Sequence, residues 1–412
     1  MIVLIRRSLV IAALAVLVLA FLAVFALGIL GEQPFSNSYA QLAKGWLEGR
    51  FDTDLCVDAD CALFEGRSHI IFPPLPGVIV LPFVALFGEG FRGFMPLAVL
   101  AFLASGWLWW SIFRRESQER ELSLLLLLVV LFASPLAFVT LRGDHVWFFA
   151  QSWGFLFATA ALYFALVRPN ALLVGLFVGL AFLCRQMTIL YLPVLYVLML
   201  EKDRAWYTID LKAVRRVLTM AAFPLAAIAV YFAYNAVRFG SPLETGYAYI
   251  FPMEWETGPD AGLFLRERVR ELGIFSGDYF LFNFIYMFIA GPHVEFTGKY
   301  LTEITSFDIN GASLFLVTPV LLLALLAPWN RAFWFGFGTI AIILGMTLLY
   351  HSNGFSQYSA QRYALDWLPI LLVFLARGVR PAFAAPLALL IGYSMAVTLS
   401  MLAFGGLLGG AS

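Results

Sequence analysis

The sequence predicts an all-α, polytopic integral membrane protein. Three observations predict it. Of 412 residues, 62% are hydrophobic and only 13% are charged, whereas soluble chains run at roughly 45–50% apolar and about 25% charged. Apolar runs recur along the chain at lengths near the about 20 residues that a membrane-spanning helix needs. Aromatic residues reach 17%, including 41 Phe and 11 Trp, which suits a lipid-facing surface with interfacial belts. Mean hydropathy is +0.88. Lys+Arg 26 against Asp+Glu 26 gives no net charge, so no bulk field points to nucleic acid.

The first expected span runs from Ser8 to Leu30, behind Arg6 and Arg7. It exceeds the roughly 7–15 residues of a signal-peptide core and has no small-x-small cleavage site after it. Further runs lie near 94–113, 121–141, 147–167, 170–187, 188–200, 217–238, 312–327, 332–350, 364–377 and 382–405. That predicts about 11 transmembrane helices in a single membrane domain, 1–412. Residues 70–88 carry four prolines and residues 279–291 are short, so both are expected to lie along the interface rather than cross. This choice puts Arg114, Arg115 and Arg120, the 201–216 loop with Lys202, and Arg377 with Arg380 on the cytoplasmic side, as the positive-inside rule asks.

The outward segments are then acidic. A first outer loop at 31–93 with interfacial helices and a second at 239–311 are expected. Residues 31–69 carry a net charge of −4 and residues 238–311 one of −5. Cys56 and Cys61 sit five residues apart in the first loop. They form either a disulfide, in an oxidising compartment, or two free thiols. Cys184 falls in a span and reads as a packing residue. Tyr39, Leu42, Ala43, Trp46 and Leu47 recur at helical spacing, and Gly49 closes the helix they predict. The run Phe72-Pro73-Pro74-Leu75-Pro76 cannot continue a helix. It is expected to fix a stiff turn that presents Arg67 and His69, either as interfacial anchors or as a cationic clamp for a lipid phosphate.

Polar residues also collect at the ends of other spans. Arg142-Gly143-Asp144-His145 follows the third span. An acid at a span end is costly unless solvated or paired. Asp144 is therefore a general base, a metal ligand or the ion-pair partner of Arg142. Arg185 ends the fifth span, where snorkelling is the simple reading. Arg362 and Asp366 stand i, i+4 and would pair across one helix face. No P-loop, GxGxxG, HExxH or GxSxG motif is present. Four scattered histidines define no metal site, and the near absence of charge within the spans weighs against an ion-coupled transporter.

The chain resembles the membrane glycosyltransferases of the C-type fold (GT-C), the protein mannosyltransferases and aminoarabinose transferases. The stretches that carry the resemblance are Tyr39-x-x-Leu42-Ala43 with Gly49-Arg50, Phe72-Pro73-Pro74-Leu75-Pro76 with Leu86-Phe87-Gly88, and Arg142-Gly143-Asp144. Leu183-Cys184-Arg185, Tyr234-Asn235-x-x-Arg238-Phe239-Gly240 and Arg362-Tyr363-x-x-Asp366-x-x-Pro369 complete the set. The resemblance implies an enzyme of a bacterial cytoplasmic (inner) membrane. It would move a hexose or pentose from a polyprenyl-phosphate donor to a glycan, lipid or protein acceptor on the extracytoplasmic face, by an inverting displacement. Family members carry a catalytic acid just before the Tyr39 position; here Ser36-Asn37-Ser38 stands there, and Glu32 is the nearest carboxylate. Asp144 and Glu32 are the expected catalytic acids, with Asp144 preferred as the base. Arg67, His69, Arg185 and Arg362 are the expected donor-phosphate cations. Asn37, Tyr39, His145, Glu244 and Tyr247 are expected to bind acceptor or substrate. No cofactor is fixed, and a divalent cation could assist through Asp144 and a first-loop acid. The competing readings are a catalytically silent relative in envelope assembly and a flippase or transporter of a lipid-linked substrate.

Overall fold

The structure is a computed structural model. It describes the chain except Met1 and residues 59–60, 201–203, 251–266, 353–358 and 408–412. Lys202, counted in the cytoplasmic loop, and the acids Asp60, Glu254, Glu256 and Asp260 therefore lie outside the described residues.

The molecule is helical, with two short hairpins. Among the described residues, six helices are long and apolar enough to cross a membrane, at Ser8–Gly31, Phe94–Glu116, Val146–Leu166, Leu211–Phe239, Arg331–Leu348 and Pro381–Phe404. The protein is a multi-pass membrane protein. Five more apolar helices are shorter: Leu75–Phe87, Ala171–Phe182, Gln186–Leu198, Gly277–Ile289 and Leu368–Gly378.

In chain order the elements begin with α1 (Ile2–Gly31), α2 (Ser38–Leu47), β1 (Cys61–Phe64), β2 (Arg67–Ile70), α3 (Leu75–Phe87) and α4 (Phe94–Glu116). There follow α5 (Arg120–Phe132), α6 (Leu136–Leu141), α7 (Val146–Leu166), α8 (Ala171–Phe182), α9 (Leu192–Leu198) and α10 (Leu211–Phe239). The expected run 121–141 is thus two helices. Pro135 lacks an amide donor and breaks the ladder between them. The run 312–327 is likewise split, into Leu314–Val317 and a 3-10 segment Pro319–Leu326. In 188–200, a 3-10 turn Gln186–Tyr191 precedes α9, which has proline in its first turn. Sequence hydropathy registers apolar length and does not register these missing donors.

The chain packs as two compact units, each assembled from separated stretches. One comprises 1–30, 102–141 and 279–412; the other comprises 31–101 and 142–278. The first unit is held by aromatic packing: Phe21 meets Phe132 with ring centroids 5.1 Å apart, Phe25 meets Phe102 at 5.2 Å, and Phe333 meets Phe374 at 5.0 Å. Asn283 donates to the carbonyls of Leu348 and Tyr350, at 3.0 and 2.9 Å, closing the end of the helix Arg331–Leu348. Arg377 and Glu116 pair at 2.6 Å. Arg362 and Asp366 lie here, both buried, in a 3-10 turn. The 3-10 turn has about three residues per turn rather than the 3.6 of an α-helix.

The second unit holds the first-loop elements. Its core gathers Tyr39, Leu42 and Ala43 of α2, Ile70 and Ile71, Val80 and Val84 of α3, and Val146, Phe149 and Ala150 of α7. Of the stripe read in the sequence, Tyr39, Leu42 and Ala43 are buried and Trp46 is partly so, but Leu47 is exposed at the helix end, and Gly49 takes φ +75 just beyond it. Helices α8 and α10 cross closely: a β-carbon at Gly175 would stand 2.3 Å from the Met220 carbonyl oxygen. Small residues permit such contact where lipid gives no hydrophobic drive for helix association. Asp210 caps α10 through the amide of Ala213 at 2.7 Å, and Gly240 at φ +72 ends it.

Residues 61–70 correct one expectation. Arg67 and His69 are not presented by the prolyl run but by the antiparallel hairpin β1–β2, which pairs Cys61 with Ile70 and Phe64 with Arg67. Glu65 and Gly66 turn it, both at positive φ, a geometry that two-residue hairpin loops require. The Cys56–Cys61 disulfide closes onto its first strand. The prolyl run does not stay a turn either. Helix α3 starts straight after Pro74, with proline tolerated in its first turn. At 13 residues it is about 20 Å long, too short for a hydrocarbon core of about 30 Å.

Candidate functional site

The second unit brings Asn37, Asp58 and residues 142–146 together. Asn37 is the N-cap of α2: its side-chain oxygen accepts from the Tyr39 amide at 2.9 Å, and its NH2 donates to the Gly143 carbonyl at 3.4 Å. Asp58 accepts from the Ser38 amide at 2.8 Å, while its own amide donates to the Ser38 hydroxyl at 3.2 Å. The same carboxylate stands 3.1 Å from His145 Nδ1 and 3.5 Å from the Val146 amide. It therefore stabilises the N-termini of α2 and α7 at once, where exposed amides and the helix dipole favour negative charge. Its side chain is 1% exposed, against 32% for His145 and 25% for Asp144. A buried acid thus holds the accessible His145, beside which Asp144 stands.

Asp144 is loosely held. Its Oδ1 lies 3.9 Å from Arg142 Nε, and its Oδ2 lies 3.9 Å from His145 Nε2. Both are ion contacts beyond hydrogen-bond range. Oδ1 is buried at the atom and has no hydrogen-bond partner among the described residues. Arg142 lays its guanidinium over the Phe148 ring, 5.6 Å from the centroid. The Asp58 carboxylate at His145 Nδ1 makes that nitrogen the donor and turns Nε2 to the Asp144 side.

Glu32 does different work. Both its oxygens accept from the start of α4, from Phe94 N at 2.9 Å and Met95 N at 3.2 Å. Burial nonetheless pushes its carboxyl up to about 7, with the negative charge of Asp144 adding to the rise. Its expected catalytic role therefore meets a carboxylate already used as a helix cap and half protonated near neutrality.

Of the expected cations, Arg67, His69 and Arg185 belong to the second unit. Arg67 is largely exposed, 3.8 Å from Asp52. His69 is buried between Phe64 and Phe239, with Nδ1 3.3 Å from the Phe51 carbonyl. Burial pushes its imidazole down, so it is neutral at pH 7 and supplies no positive charge to a clamp. Arg185 is the N-cap of a 3-10 turn, and its stem fills the space left by Gly154: a β-carbon there would stand 2.7 Å from Arg185 Cγ. Its charge is felt at the buried Tyr39 phenol, which donates to the Pro73 carbonyl at 3.2 Å. Cys184 is a buried free thiol. Arg362 belongs to the first unit. Glu244 accepts from the Gly246 amide at 2.7 Å, bracing the turn that leads to Tyr247.

Asp58 is the residue that sequence reasoning missed. Nothing set it apart from the seven other acids of the first loop, and its partner His145 lies 87 positions away. Among the described residues, no group of three or more His, Cys, Asp or Glu side chains could hold a metal ion. The oxygens of Glu32 and Asp58 are occupied by backbone amides and an imidazole. Neither acid therefore has its oxygens open to join Asp144 around a divalent cation.

Two solved structures are similar to this chain. One is ArnT from Cupriavidus metallidurans bound to undecaprenyl phosphate, at 14% identity and TM-score 0.47, covering 96% of this chain and 76% of that one. The other is the same protein in the apo state, at 14% identity and TM-score 0.46, covering 93% and 62%. No family model matches the chain, and no curated protein matches it.

Proposed function

We propose that this protein is an integral membrane glycosyltransferase. It transfers a sugar from a polyprenyl-phosphate donor to an acceptor hydroxyl on the extracytoplasmic face of a bacterial inner membrane. The observation that carries the reading is the Asp144–His145 pair, accessible just beyond a span and backed by the buried Asp58. An acceptor hydroxyl attacks the anomeric carbon as the bond from that carbon to the phosphate oxygen breaks. The electron pair leaves with the polyprenyl phosphate, and Asp144 takes the hydroxyl proton. Inversion needs one base and no covalent intermediate. Arg142 and Arg185 are the cations of this unit suited to the charge growing on the leaving phosphate.

A silent relative that binds without turnover is the second reading. Its support is Asn37, which stands where the family pattern places an acid and spends its side chain on capping α2. The test is transfer by the purified full chain in liposomes. Undecaprenyl phosphate carrying a panel of pentoses and hexoses would serve as donor, and the released undecaprenyl phosphate would be measured. Release above empty liposomes supports the enzyme. Binding of the donor without release favours the silent relative.

A further inference from the structure

A cavity lies in the same unit, lined by groups to which the mechanism assigns no bond-making step. It has a volume of about 500 Å³ and is walled by the loop after α2, the β1–β2 hairpin and the end of α10. Arg50, Asp52, Phe64, Arg67, His69 and Arg238 line it. Arg238 is 4% exposed, and all its described partners are uncharged: the carbonyls of Tyr234 and Ile70 and the side-chain oxygen of Asn235. Its positive charge is therefore not paired with any carboxylate through a described hydrogen bond. Arg50 is different, since Glu48, Asp52 and Asp54 all pair with it. Arg67 extends at the rim, with its one described carboxylate contact, Asp52, at 3.8 Å. Its planar guanidinium suits bidentate contact with an incoming carboxylate.

The rest of the lining limits what that anion is. Asp52 and Glu65 also face the cavity. They accept hydrogen bonds and repel a group that offers only acceptors. The Phe51 carbonyl holds the Nδ1–H of the neutral His69, leaving Nε2 as one more acceptor. Acceptors beside a guanidinium call for a ligand with hydroxyl donors and one negative group. Phe51 is 38% exposed and offers an apolar ring to a sugar's C–H face. We propose that this cavity binds a saccharide bearing a carboxylate, a uronic acid, with the carboxylate on Arg67 and the hydroxyls on Asp52 and His69.

The choice of a saccharide rests on the proposed function, but its test needs no turnover. Binding of methyl β-glucuronide, methyl β-glucoside and inorganic phosphate to the detergent-solubilised full chain is measured by calorimetry. The glucuronide is expected to bind at least about tenfold tighter than the glucoside, the effect of one charge-assisted pair, and phosphate is expected not to displace it. Arg67→Ala should remove that preference, and Arg67→Lys should restore part of it. Arg67 is exposed, so both variants keep the fold. Equal binding of the two glycosides, no binding of either, displacement by phosphate, or an unchanged preference in Arg67→Ala would each overturn the proposal. Glucuronide binding in a protein that transfers no sugar would refute the proposed function alone. Sugar transfer without glucuronide binding would refute this proposal alone.

Discussion

The two units differ in how their polar side chains are used, although each has an ion pair between distant segments, Arg377–Glu116 in the first and His145–Asp58 in the second. In the unit of 1–30, 102–141 and 279–412, rings pack on rings and hydroxyls bond back to their own helices, as Thr339 does to Phe335 at 3.0 Å and Ser394 to Leu390 at 2.8 Å. In the unit of 31–101 and 142–278, charged side chains tie distant segments. Asp58 joins positions 38 and 145, Glu32 caps α4, and Arg238 reaches Ile70. Ring packing is indifferent to pH and tolerant of small changes. A buried charge that loses its partners costs the full desolvation of whatever remains. The second unit holds the two carboxylates, Glu32 and Asp58, whose hydrogen bonds cap helices.

The largest expected effect on stability follows. Asp58→Ala leaves the Ser38 and Val146 amides and His145 without their acceptor. It should cost about 3 kcal/mol and lower the thermal midpoint in detergent clearly. Glu32 gives a pH signature next. Its carboxyl is raised from 4.5 to about 7 in the fold, so the folded state holds a proton that the unfolded state releases. Stability should be highest below about pH 4.5 as far as this group is concerned, and fall as pH rises through 7. Glu32→Gln should flatten the thermal midpoint between pH 5 and pH 8. An equally steep profile in that variant would place the sensitivity elsewhere. The smallest effect belongs to the other unit. Ser394→Ala removes only a bond to its own helix and should cost under about 0.5 kcal/mol. A loss matching that of Asp58→Ala would erase the contrast between the units.

How much of this was legible in the sequence differs in the same way. Helix α2 and its close at Gly49 follow from local spacing, and apolar length marks the six long helices. The break at Pro135 also had a local cause, but hydropathy alone passes over it. The β1–β2 hairpin was less readable, since its strands are four residues each and its only local sign is Glu65-Gly66. At the site, Asp144 and His145 stand out because they adjoin a span. Asp58 does not, because its role depends on contacts across 20 and 87 positions. His69 looked like a cation in sequence, and only burial shows that it is neutral.

The central claim is that Asp144 is the reacting carboxylate and Asp58 its buried support. Sugar transfer from undecaprenyl-phosphate donors in liposomes, measured for Asp144→Asn beside wild type at matched thermal midpoints, tests it most directly. The account predicts that Asp144→Asn keeps the wild-type midpoint and loses at least about a hundredfold in turnover. Turnover within a few-fold of wild type in that variant would contradict it.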